Sequence, residues 1–65
     1  MEKAEQRGEI QIRRYSSSSE CDVIVTVRGR EMVVQLPDYS QAMKWAQMEA
    51  KTYKILGAPS EEHPD

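Results

Sequence analysis

Phenylalanine is absent from the chain, and one tryptophan and three tyrosines supply all of its aromatic character. A core made without phenylalanine has to come mainly from Ile, Val, Leu and Met. Cysteine occurs once, as Cys21, which excludes an intrachain disulfide and points to a reducing compartment. A cytoplasmic location is therefore expected, with Cys21 as a small buried residue. Histidine also occurs once, as His63, with no Cys or second His near it in sequence, so neither a metal site nor an acid–base role is expected there. The three glycines, Gly8, Gly29 and Gly57, mark three separate junctions and cannot form a loop that cradles phosphate. No apolar run approaches the length of a membrane-spanning helix. The segment from Met1 to Glu9 lacks the hydrophobic stretch and cleavage site of a signal peptide, and no membrane partner is expected.

These absences bear on catalysis. The serine run at 16–19 could offer a nucleophile, but a serine needs a base and an oxyanion site, and the one histidine lies far off near the C-terminus. The acid pair Glu61–Glu62 stands in the same terminal stretch. An enzyme is not expected, and no cofactor or metal is implied. The length of 65 residues allows one small domain, with 1–7 as a flexible arm, 8–56 as the fold and 57–65 as a disordered acidic tail.

The formal net charge of −2 is not uniform. Between Gly8 and Leu56, seven basic residues stand against six acidic ones, so the expected fold is close to neutral. That gives little general drive toward nucleic acid, whose affinity comes largely from phosphate contacts.

What the chain does contain is one long periodic segment, 38–56. Asp38 follows Pro37 and precedes Gln41 by three positions, a capping-box spacing that starts a helix. Gly57 and Pro59 end it. At 100° per residue, Tyr39, Ala42, Ala46, Ala50, Tyr53 and Leu56 share one face, flanked by Met43 and Trp45. Lys44, Gln47, Lys51 and Lys54 fall opposite as a solvated ridge. Glu49 lands inside the apolar stripe, where an unpaired carboxylate is costly, so it is expected at the rim, bonded to an Arg or Tyr.

Before the helix, the stretches 9–15, 21–28 and 31–36 read as strands from their alternation and β-branched content. Gly29–Arg30 fits a type II′ hairpin turn that pairs Val27 with Met32, Val25 with Val34 and Arg28 with Glu31. A four-residue loop at 16–19 pairs Ile12 with Val23, Ile10 with Val25 and Arg13 with Asp22, and this keeps the apolar side chains together; a six-residue loop keeps the same parity in another register. The expected architecture is α+β in two layers: a three-stranded antiparallel meander covered on one face by a C-terminal helix. The inner face is then Ile10, Ile12, Cys21, Val23, Val25, Val27, Met32, Val34 and Leu36. So small a chain buries only a modest share of its surface, and its monomer is expected to be marginal.

The outer sheet face is mixed in character. By parity it carries Arg13, Tyr15, Ile24, Thr26, Arg28, Val33 and Gln35, with Arg30 at the hairpin tip. Scattered apolar residues on a surface are ordinary, yet an apolar centre with an Arg/Tyr rim also suits a contact surface. These eight residues form the candidate interaction surface. The first expectation is a non-enzymatic protein-interaction module that binds an unknown protein partner, or itself as a homodimer, through this face or through an edge strand, the first and third strands being the edges.

Three strands followed by a helix resembles the layout of plant AP2 domains and of integrase amino-terminal domains. This resemblance of topology implies that Arg13, Tyr15 and Arg28, with Arg30, contact DNA. The last part of the chain is also similar to the final helix of double-stranded-RNA-binding domains, with Lys44 standing alone where those have a lysine cluster. Glu20, Asp22 and Glu31 lie among the arginines and offset their charge. Weak DNA or RNA binding is accordingly the second expectation.

Overall fold

The structure, a computed structural model, describes residues 8–63. The expected arm at 1–7 lies outside the described residues. Strands β1 (Gly8–Arg14), β2 (Cys21–Val27) and β3 (Arg30–Leu36) form the antiparallel meander, α1 (Tyr39–Tyr53) packs on it, and a short strand β4 (Ser60–Glu62) follows. The α+β reading holds. The sheet order is β3-β2-β1-β4, and β4 runs parallel to β1, so the sheet is mixed and has four strands.

Strand β4 corrects the reading of 57–65 as a disordered tail. Ser60, Glu61 and Glu62 pair with Gln11, Ile12 and Arg13. A bare strand edge leaves backbone N–H and C=O groups without partners, and the returning chain covers part of β1. The first strand is thus interior, and the sheet edges among the described residues are β3 and β4.

The first hairpin has the register read from the sequence, with Ile12 opposite Val23, Ile10 opposite Val25 and Arg13 opposite Asp22. The second hairpin is shifted by two residues from the expected one. Val27 pairs with Arg30, Val25 with Met32, Ile24 with Val33 and Val23 with Val34. Arg28 and Gly29 occupy the turn with φ of 54° and 78°. Positive φ at both central positions is the type I′ geometry, which matches the twist of the strands. The shift also places Pro37 beyond the ladder, where its missing N–H interrupts nothing. Since the slip is even, every side chain keeps its face.

Helix α1 starts as expected: Asp38 is extended at φ −154° and its side chain accepts from the Gln41 N–H at 2.9 Å. It ends earlier than expected, because Lys54 takes the left-handed conformation at φ 56° and caps the helix. Leu56 consequently leaves the apolar stripe and is 93% exposed. Ile55 turns inward instead, its N–H donating to the Ala50 carbonyl at 2.9 Å and its side chain packing on the core. A Cβ at Gly8 would lie 2.9 Å from Ile55 Cγ1 and 3.1 Å from the Thr26 carbonyl oxygen, so the bare glycine is what admits Ile55. Glu49 is half-buried at the helix rim, and the expected bond to an Arg or Tyr is not found among the described residues.

The core lies between α1 and the first two strands. Ile10, Ile12, Cys21, Val23, Val25 and Val27 line the sheet side, and Ala42 and Ala46, both fully buried, let the helix approach closely. Parallel strands need a crossover between them, and α1 is that crossover, carrying the chain from β3 at one edge to β4 at the other. Its path runs mainly over β1 and β2. Strand β3 is left at the margin, and Met32, expected inside, is 38% exposed.

Candidate functional site

The eight candidate residues do not form one surface. Ile24, expected at its exposed centre, is 5% exposed, on the central strand between Gln11 and Val33 and apart from the helix-side core. Thr26 is half-buried beside it. Arg13 is committed to β4: its Nε donates to Glu62 Oε1 at 3.0 Å, and that bond raises the guanidinium above its ordinary value. Tyr15 is committed within the sheet, its hydroxyl donating to Asp22 Oδ2 at 2.7 Å, which pushes the phenol up. Gln35 Nε2 donates to Glu20 Oε1 at 3.3 Å. Arg28 and Arg30 are exposed at the second turn, where Arg28 belongs to the turn itself rather than standing across from Glu31.

The structure brings together a group that the sequence reading missed. On the helix side of β1, the Arg14 guanidinium stacks over the Tyr39 ring at 4.2 Å from its centroid and lies 3.6 Å from Glu61. The Tyr39 hydroxyl donates to the Glu61 carboxylate, and this bond pushes its phenol up. Neighbouring acids in β4 thus point to opposite faces, Glu61 to Arg14 and Glu62 to Arg13. The one sequence signal was a pair of adjacent basic residues matched by a pair of adjacent acids. These contacts fasten β4 and occupy its charges.

Val33 behaves differently. It is 58% exposed on the outer face, and Met32 beside it is exposed on the other. A groove of about 790 Å³ runs along the tip of this edge, lined by Val27, Arg28, Arg30, Glu31, Met32 and Tyr53. A two-residue turn closes on a hydrogen-bonded pair, here Val27–Arg30, so by alternation Met32, Val34 and Leu36 turn their backbone groups toward β2. Glu31, Val33 and Gln35 turn theirs outward. No strand among the described residues takes them.

Cys21 is buried, its thiol 3.7 Å from the Ser19 carbonyl oxygen, and burial pushes the thiol up. Among the described residues no group of three His, Cys, Asp or Glu side chains is placed to hold a metal ion. No helix of the described residues is long and apolar enough to cross a membrane. Comparison of the chain with protein-family models, curated proteins and solved structures finds no match.

Proposed function

We propose that the chain is a non-enzymatic protein-interaction module of the cytoplasm that binds by strand addition at the outer edge of β3. The observation that carries this reading is the run of backbone donors and acceptors at Glu31, Val33 and Gln35 that no strand among the described residues takes, flanked by the exposed side chains of Met32 and Val33. An added strand gains affinity from main-chain hydrogen bonds and selectivity from alternate side chains, and the groove beside Met32 and Tyr53 offers a seat for one of these. Relative to the sequence reading, the surface moves from the middle of the outer face to its margin. Val33, Gln35 and Arg30 stay in it, while Ile24, Arg13 and Tyr15 leave.

Nucleic-acid binding keeps less support. Arg13 is paired with Glu62, and Tyr15 with Asp22, which leaves Arg28 and Arg30 as a small cationic patch that shares its groove lining with the acid Glu31. Proteins captured by the full chain and released by Val33→Lys, with the circular dichroism spectrum unchanged, are the expected result. Capture that is equal for both chains would sink the edge reading. A duplex titration at low salt checks the other one: shifts at Arg28 and Arg30 that fade with added salt would transfer the function to nucleic acid.

A further inference from the structure

We infer that the occupant of the β3 edge is a second copy of this chain, paired antiparallel about a two-fold axis at Val33; this rests on the edge reading above. A two-fold axis perpendicular to the sheet pairs residues of equal parity, so the axis must pass midway between one residue and its own copy. Centring on Glu31 sets that carboxylate against its own copy. Centring on Gln35 brings Val33 opposite Pro37, which has no N–H to give. Centring on Met32 puts Glu31 against Val33, and centring on Val34 puts Glu31 against Pro37.

Centring on Val33 has none of these faults. Val33 meets Val33, Met32 meets Val34, and Glu31 meets the neutral Gln35, whose amide can donate to a carboxylate. The outward backbone groups of Glu31, Val33 and Gln35 are then all matched to outward groups of the second copy. Ile24 lies across from Val33 within each chain, so an apolar row crosses the joint on the outer face. On the helix side, Leu36 of the second copy comes opposite Arg30, at the lip of the groove that Met32 and Tyr53 line. Because β3 lies at the margin of α1, the joined sheet has room between the two helices. The product is one eight-stranded sheet, with β4 at both ends.

Sedimentation velocity of the full chain from micromolar to millimolar concentration tests this. The expected result is a monomer–dimer equilibrium that Val33→Pro shifts to monomer, at least about a hundredfold weaker, with the monomer fold kept because a proline N faces outward on an edge strand. Val33→Lys gives the same loss should the proline variant fail to fold. The register has its own readout. Gln35→Lys sets the new lysine against Glu31 of the second copy twice per dimer and tightens it about two- to thirtyfold. Adding Glu31→Lys to that variant makes the dimer weaker than wild type. A strict monomer at all concentrations overturns the self-pairing while leaving β3 open to a different protein. A dimer indifferent to Val33→Pro and Val33→Lys overturns both the pairing and the edge reading.

Discussion

The two edges of this sheet are treated in opposite ways. Strand β4 is three residues long, lies at the surface, and has two acids, each tied to an arginine on β1. Short length and charge are what keep an edge from pairing with other chains. Strand β3 is seven residues long and has Met32, Val33 and Val34 in its middle, with neither a lysine nor a proline inside it. One edge is blunted, and the other is left without a neighbouring strand among the described residues. The difference follows from the path of the chain: α1 has to cross from β3 to β4, and in crossing it covers β1 and β2 better than β3.

The largest expected effect comes from making β3 resemble β4. Val33→Lys should weaken association at least about a hundredfold, or about 3 kcal/mol, measured by sedimentation, with the thermal transition of the dilute chain unchanged. Next is the reverse operation, which removes the guard from the other edge. Deleting residues 58–65 should lower stability by about 1–2 kcal/mol in urea, from the backbone hydrogen bonds lost along β1. The shortened chain should also self-associate in a way that Val33→Lys no longer prevents. An equally stable shortened chain would show that β4 holds nothing in place.

A smaller effect tests the turn that sets the register of β3. Arg28 holds φ 54° at some conformational cost, and Asn tolerates that region and favours the type I′ turn before Gly29. Arg28→Asn should therefore stabilise the chain by about 0.5–1 kcal/mol. A destabilising Arg28→Asn would argue for the other turn, at Gly29–Arg30.

The smallest effect appears at alkaline pH. The Tyr39 phenol is raised by its bond to Glu61, and the Tyr15 phenol by its bond to Asp22. A raised folded value means that the stabilisation is complete below the ordinary tyrosine value of about 10. It is lost as pH rises through the raised value. Phenol absorbance should titrate late in the folded chain, and Glu61→Gln should move the Tyr39 step back toward the ordinary value. A titration unchanged by Glu61→Gln would mean that Tyr39 does not hold β4.

Much of this architecture was legible in the residues. The parity of Ile10, Ile12, Val23 and Val25 limits the first two strands to the pairings that keep these side chains on one face, of which the structure takes the one with Ile12 opposite Val23, and Asp38 with Gln41 marks the helix start. What was not legible depends on energies that local pattern does not contain. Gly29 suits either of two turns, and the choice rests on a positive φ at Arg28, a residue type with no preference for it. The helix end likewise rests on Lys54 in the left-handed region, while Gly57 gave the more obvious stop. Strand β4 has no β-branched or apolar residue, so its pairing with β1 and its contacts to Arg13, Arg14 and Tyr39 make it a strand rather than any local preference. The candidate surface followed the same division: parity placed Val33 and Ile24 on the same face with Ile24 on the central strand, but how far its neighbours Gln11 and Val33 cover Ile24 is a matter of packing that the pattern does not contain. The uncovered state of Met32 depends on where the crossing helix lies.

Amide hydrogen exchange at Glu31, Val33 and Gln35, followed as a function of protein concentration, tests most directly whether the outer edge of β3 is the binding edge. These three amides should exchange freely in dilute solution and become protected at high concentration, while those of Met32 and Val34 stay protected throughout. Rapid exchange of all three at every concentration would contradict pairing with a second copy. Slow exchange in the dilute monomer would contradict the open edge itself.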